Sequence, residues 1–187
     1  MQRFINPNPD QWKALAQRGS ASYTSLEPLA KEVFDNVAQN GDQALMNYTE
    51  KFDKVKLKDF SVSTEEIEDA KARVPEKLKL AIRKAKDNIY RFHMAQKTNE
   101  VNVETQKGVN CWQKKLPIEK VGLYIPGGSA PLFSTILMLA IPAQVAGCSE
   151  VVMCSPPNSK GKLSDVILYT ANLCGVDNIF KLGGMQA

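Results

Sequence analysis

Along the first hundred residues the apolar positions return every three or four places. From Ser25 onward Leu26, Leu29, Val33, Phe34 and Val37 recur at helical spacing, and Gly41 after Asn40 supplies a stop. Asp42 can cap a following helix that carries Leu45, Tyr48 and Phe52. Ser63 and Glu66 have the spacing of a capping box ahead of Ile67 and Ala70, because the hydroxyl and the carboxylate can each satisfy an exposed backbone N–H. Pro75 opens the longest predicted helix, whose Leu78, Ile82, Ala85, Ile89 and Phe92 form one stripe. That stripe lasts barely two heptads, so it reads as a face packed on a neighbour rather than a partner-binding zipper.

The period then changes. VNVET and VNCWQKKL, joined through Lys107 and Gly108, predict a β-hairpin between Val101 and Leu116. Three short apolar strands follow: VGLYI from Val121, EVVMC from Glu150 and NIFKL from Asn178. Helical stretches between them, Pro131 to Ala146 and Leu163 to Cys174, complete a strand and helix alternation that predicts a parallel sheet with right-handed crossovers. Pro142 predicts a kink or an early stop near Ile141. The fold class is therefore α/β, divided into a helical region over 1–98, a hairpin and connection over 99–120, and a partial parallel-sheet domain over 121–187. A helix is expected after Gly184, so Ala187 is predicted to fall within a βα unit of a longer chain.

Charge sharpens this division. Of the 24 basic and 20 acidic residues, only Glu150, Lys160, Lys162, Asp165, Asp177 and Lys181 lie beyond residue 120. The first part predicts amphipathic elements with wet outer faces, and the second predicts elements buried on more than one side. A formal net charge of +4 with no basic cluster interleaved by aromatics argues against nucleic acid. Cys111, Cys148, Cys154 and Cys174 show no CxxC spacing and the N-terminus has no signal-peptide core, which predicts free thiols in a reducing, cytoplasmic setting. The longest apolar run, ILMLAIPA, falls far short of the roughly 20 residues of a membrane span.

Candidate chemistry gathers at two glycine pairs. In YIPGGSAP, Tyr124 ends a strand, Gly127 and Gly128 allow close approach of a ligand to backbone, and Pro131 begins a helix whose free N–H groups favour anions. The run is neither G-x-G-x-x-G nor a Walker loop, so a structural turn and a nucleotide or phosphate site both fit it. The second pair, in LGGMQA, adds Gln186, which can donate to and accept from a base or ribose. Two such turns at the carboxyl ends of parallel strands lie where ligands of open α/β sheets collect. The sole histidine, His93, reads as a surface or half-buried helix residue, and Cys111 and Cys148 read as buried thiols. Glu65, Glu66, Glu68 and Asp69 read as a solvated first turn that suits the helix dipole.

The runs VGLYIPGGSAPLFSTILMLAIPAQVAGC, VVMCSPP, LCGV and LGGMQA, with GDQALMNYTEKFD and NIYRFHMAQ upstream, closely resemble histidinol dehydrogenase, and the resemblance covers essentially the whole chain. It matches the N-terminal side of that family, less than half of the usual length. The resemblance implies NAD-dependent oxidation of L-histidinol to L-histidine through an aldehyde, a bound zinc ion, a homodimer and incomplete Rossmann-like domains. By resemblance Tyr124 and Gln186 match positions that contact NAD, with Gly127 and Gly128 shaping the adjacent loop. The family's zinc ligands and its Glu-His proton-handling pair have no counterpart here, so no catalytic or metal-binding residue is assigned.

The expectation is an N-terminal part of the enzyme that carries one side of the NAD site and is inactive alone. The missing helix is expected to leave the last strand's apolar face exposed and to favour self-association over NAD binding. A non-catalytic nucleotide-binding or scaffold module is the rival reading, distinguished by micromolar NAD binding to a monodisperse sample. A phosphate binder using the first glycine pair alone ranks behind both.

Overall fold

The computed structural model describes residues 3–17, 23–127 and 131–187. Its helices are α1 (Pro9–Leu15), α2 (Glu27–Asn40), α3 (Asp42–Tyr48), α4 (Thr64–Arg73), α5 (Glu76–Ala95), α6 (Phe133–Ala146) and α7 (Asp165–Leu173). Its strands are β1 (Val101–Gln106), β2 (Val109–Gln113), β3 (Lys120–Tyr124), β4 (Glu150–Ser155) and β5 (Asn178–Lys181). A π-helical turn, Thr49–Asp53, extends α3, and a 3-10 turn, Gly184–Gln186, follows β5.

The capping box forms as predicted: Ser63 Oγ accepts from the Glu66 N–H at 3.1 Å, and Glu66 Oε2 accepts from the Ser63 N–H at 3.1 Å. Gly41, at φ 51°, stops α2 and also caps α3, so Asp42 is the first residue of α3 rather than its cap. An L side chain is strained at that dihedral, which is why the glycine serves both helices. Pro75 is the N-cap of α5.

Among the described residues β3, β4 and β5 form a parallel sheet in that order, with Tyr124 opposite Cys154 and Cys154 opposite Phe180. The free edge of β5 is occupied by the segment before α4: Val62 N–H donates to the Ile179 carbonyl at 2.9 Å and Lys181 N–H to the Phe60 carbonyl at 2.7 Å. With Ile179 and Leu182 buried as well, the last strand does not expose the apolar face expected for it. Its cover comes from upstream chain, through a backbone pairing that side-chain periodicity does not encode.

Leu123, Ile125, Met153 and Ile179 project into one core with α6 and α7, and α4 and α5 pack on the outside of those two helices. This arrangement encloses α7, whose residues Val166 to Ala171 are all buried. The opposite face of the sheet is more open: Gly122 and Tyr124 are exposed, and Val152, Cys154 and Phe180 are half-buried. The prediction of burial on more than one side therefore holds for α7 but not for the strands, whose alternate residues divide between a dry and a wetter face. Helix α6 runs through Pro142 to Ala146 without the expected stop. The ring removes one intrahelical N–H, the one that would donate to the carbonyl of Met138, an exposed residue.

Side-chain bonds fasten the outer helices to α7. Arg73 holds Asp165 in a two-point ion pair, Nε to Oδ2 and Nη2 to Oδ1, both at 2.9 Å, and its Nη1 reaches Asp69 at 3.1 Å. Arg83 Nη1 donates to the Tyr169 hydroxyl at 3.1 Å, and Lys86 Nζ donates to the Leu173 carbonyl at 2.7 Å. Glu66 is not simply solvated, because Lys181, itself buried, reaches Glu66 Oε2 at 3.3 Å. The N-terminal helices close a smaller core of Val33, Ala44 and Tyr48, against which Met185 of the 3-10 turn packs.

The hairpin stands apart from both cores. Its register, Gln106 opposite Val109, and Gly108 at φ 83° match the prediction, yet every residue of β1 and β2 is exposed. Cys111 is accordingly exposed rather than buried, while Cys148 is half-buried; all four thiols are free. The alternation that predicts a hairpin does not specify what the hairpin packs on.

Two predictions follow from this packing. Ile82 is 1% exposed and Phe92, on the same predicted stripe, is 65% exposed. Replacing Ile82 by Ala is expected to cost about 2–5 kcal/mol in urea unfolding, whereas Phe92→Ala leaves the midpoint nearly unchanged. The Arg73 guanidinium holds the Asp165 carboxyl below its ordinary value. A depressed carboxyl contributes stability above its unfolded pKa, near 3.8, and loses that contribution as pH falls through the folded value. Arg73→Met is expected to lower stability at neutral pH and to converge with wild type in acid, read by denaturation at a series of pH values.

Candidate functional site

At the carboxyl ends of the parallel strands lies a cavity of about 530 Å³. Its walls come from the end of β3 (Tyr124, Pro126, Gly127), the start of α6 (Pro131, Leu132), the end of β4 (Ser155, Pro156, Pro157) and the entry to α7 (Lys162, Leu163, Ser164, Ile167). Asn158, Gly184 and Asp53 complete it. The size is usual for a small-molecule site, and such clefts collect at this edge of a parallel sheet.

The Pro156 ring fixes the local geometry. A β-carbon on Gly127 would meet Pro156 Cγ at 2.6 Å, and one on Gly183 would meet Pro156 Cβ at 2.4 Å and Asp53 Oδ1 at 3.2 Å. Both glycines are therefore required by contact, since neither has a φ in the left-handed range. Gly184 does, at 66°, and its N–H donates to the Tyr124 hydroxyl at 2.9 Å. That bond ties the end of β3 to the turn after β5 across the mouth of the cavity.

The loop between β4 and α7 is organised by Asn158, whose Oδ1 accepts from the N–H groups of Lys160 at 2.9 Å and Lys162 at 3.2 Å. Gly161, at φ 71°, packs against Leu57, so the chain following the π-helical turn buttresses this loop. The turn itself brings Asp53 to the cavity. Asp53 Oδ2 is shut off from solvent and has no hydrogen-bond partner among the described residues, and burial pushes its carboxyl above the ordinary value. Burial is the cause of that shift, with no neighbouring like charge contributing to it. Lys162, the cation of this lining, is exposed.

Of the residues singled out by sequence, Tyr124 and Gly127 meet in this cavity. Gly128 lies outside the described residues. Gln186 is 5% exposed and is not part of the wall; its side-chain nitrogen and oxygen are buried without partners among the described residues, with Oε1 against Gly184. His93 is half-buried on α5, its Nδ1 2.7 Å from Gln96 Oε1, beside a separate cavity of about 500 Å³. Sequence reading missed Asp53, Pro156 and Lys162. The proline pair after a strand end was the available signal for Pro156, whereas Asp53 reads locally as the end of an amphipathic helix.

The family model for histidinol dehydrogenase matches residues 16–187. The chain belongs to the histidinol dehydrogenase family. It is 52% identical over 175 residues to histidinol dehydrogenase of Mannheimia succiniciproducens, covering 94% of this chain and 40% of that protein. It is 50% identical over 181 residues to the Salmonella typhimurium enzyme, covering 96% of this chain and 41% of that one. The crystal structure of histidinol dehydrogenase from Elizabethkingia anophelis superposes with a TM-score of 0.95 at 50% identity, over 100% of this chain and 43% of that one. The chain thus spans about 40% of the length of the curated relatives it matches and corresponds to the N-terminal portion of histidinol dehydrogenase.

Gly183→Ala is expected to destabilise the fold by about 1–3 kcal/mol, the usual cost of overpacking, because one contact is to the backbone Cα of Pro156, at 3.1 Å. Gly122→Ala, where a β-carbon meets nothing within 4 Å, is the control. Paired urea titrations of the two variants read the difference.

Proposed function

We propose that the chain forms one wall of the NAD site of a histidinol dehydrogenase and takes part in the oxidation of L-histidinol to L-histidine only together with groups that are not among its residues. The observation that carries this reading is the cavity between the two glycine turns. Gly127 and Gly183 leave no space for side chains, Tyr124 bridges the turns, and a carboxylate and a lysine lie in the same lining.

The cavity fits a dinucleotide chemically. Pro126, Pro157, Leu132, Leu163 and Ile167 give a base an apolar slot. Lys162 and the amino end of α7, bordered by Ser164, favour phosphate charge. Asp53 adds an acceptor-only carboxylate to the same lining. NAD, when bound, supplies the hydride acceptor; the residues of this chain bind and orient it. Gln186, with both side-chain atoms unpartnered, joins Tyr124 and Gly127 in the proposed NAD site through its position beside Gly184.

Zinc does not fit the residues present. No group of three or more His, Cys, Asp or Glu among the described residues could hold a metal ion, so no step on this chain is routed through one. Homodimer formation and a cytoplasmic setting belong to the same proposal. Among the described residues no helix is long and apolar enough to cross a membrane.

Two measurements test the reading. A chemical-shift titration of the chain with NAD, which reads weak as well as tight binding, is expected to perturb Tyr124, Gly127 and Gly184. An assay with L-histidinol, NAD and zinc is expected to give no turnover. Shifts confined to residues remote from the cavity, or turnover by this chain alone, overturn it.

A further inference from the structure

The cavity beside His93, of about 500 Å³, lies at the opposite end of α6 from the glycine turns and is within the usual size of a small-molecule site. Its apolar side is one face of the last turns of α6, where Pro142, Val145 and Ala146 stand at i, i+3 and i+4, together with Leu116 and Pro117 from the chain between β2 and β3. Pro117 is set against the end of that helix, since a β-carbon on Gly147 would lie 3.7 Å from its Cγ. Val145 is buried and Leu116 is 74% exposed, so this side runs from dry to open.

The polar side comes from the chain after α5 and the chain after β2. Lys115 donates to the Thr98 hydroxyl, which fastens these two segments at the base of the hairpin. The contact between His93 Nδ1 and Gln96 Oε1 fixes the end of α5 beside them. Lys97 and Lys115 therefore reach one lining from different parts of the chain, and among the described residues neither belongs to an ion pair. Glu100, the one carboxylate of the lining, pairs with neither.

Two ammonium groups in one lining repel each other, and an apolar wall open to water forgoes its burial. A single molecule that carries an anionic group on an apolar body relieves both. The two proline rings offer flat faces that a planar body covers best, and Glu100 disfavours a dianion such as a phosphate monoester. We propose that this cavity is a second ligand site, which takes a small carboxylic acid with a flat apolar body, the carboxylate between Lys97 and Lys115 and the body against Pro117, Pro142 and Val145. No residue lines both cavities, so either site can be filled without the other.

The test is a chemical-shift titration of the chain with 3-phenylpropanoate, with 3-phenylpropanol, which lacks the charge, and with propanoate, which lacks the ring. The acid is expected to give saturable shifts at His93, Thr98, Leu116 and Val145 while Tyr124 and Gly127 stay in place. The alcohol is expected to bind about tenfold more weakly, the scale of a hydrogen bond to a charged group, and propanoate about tenfold more weakly or worse, the scale of burying an aromatic side chain. Lys97→Met and Lys115→Met are each expected to weaken the acid several-fold and to leave the alcohol unchanged. Absence of saturable shifts with the acid, equal binding of acid and alcohol, equal binding of acid and propanoate, or shifts centred on the other cavity each overturn the proposal. The three probes are compared on the unaltered chain, so the result stands even where a lysine variant does not fold.

Discussion

The ends of β3 and β5 are held at a fixed separation by one proline ring. Pro156 stands where side chains on Gly127 and Gly183 would be, so each glycine turn closes against the same rigid surface from its own side. A longer residue at either position would push a strand end outward, and a smaller one than Pro156 would leave a void between them. Met185, two residues beyond Gly183, then inserts among Val33, Ala44 and Tyr48. The contact at Pro156 thus does more than shape a cavity: it sets where the final turn emerges, and that turn is what the N-terminal helices pack on.

That turn and the π-helical turn together collect the unsatisfied polar atoms. Thr49 Oγ1, Asp53 Oδ2 and both side-chain polar atoms of Gln186 are buried without partners among the described residues, and all belong to the π-helical turn or the 3-10 turn. The larger core behind the sheet shows the opposite behaviour, with Lys181 paired to Glu66 and the Thr170 hydroxyl donating to the Val166 carbonyl at 2.7 Å. Desolvation raises the Asp53 carboxyl, so the folded chain binds a proton there more readily than the unfolded chain does. The sign follows: the buried charge costs stability increasingly as pH rises from the unfolded carboxyl value through the raised folded one. Uncompensated groups of this kind concentrate where a protein is built for a ligand rather than for its own stability.

Much of this fold is legible in the residues, and the failures share a cause. The capping box at Ser63, the hairpin turn at Gly108 and the strand and helix alternation from Val121 are local signals, and each appears where the pattern places it. Phe34 and Phe92 share a periodic stripe with buried neighbours yet are exposed, because periodicity identifies a face and not how far the neighbouring element extends along it. The antiparallel bridge from Ser61 to Phe180 joins positions distant in sequence through backbone groups, which no side-chain pattern marks. Tyr124 and Gly127 stand on motifs legible in the sequence, and both line the cavity; Asp53 carries no such mark, since it reaches the lining on a turn brought there by tertiary packing.

Stability is unevenly shared across the elements that meet at the cavity. Helix α7 is enclosed on all sides and fastened through Arg73, Arg83 and Lys86, so it belongs with the parts that open only on global unfolding. Helices α2 and α3 rest on a core of three buried residues with the Asn36 to Tyr48 side-chain bond at 2.9 Å, and the hairpin rests on its own ladder. The wall made by β3, β4 and α7 is consequently the rigid side of the cavity, and the π-helical turn that bears Asp53 is the side carried by the smaller core. A ligand spanning the two would join the weaker unit to the stronger one, adding its binding energy to the contacts that Met185 and Leu57 make between them.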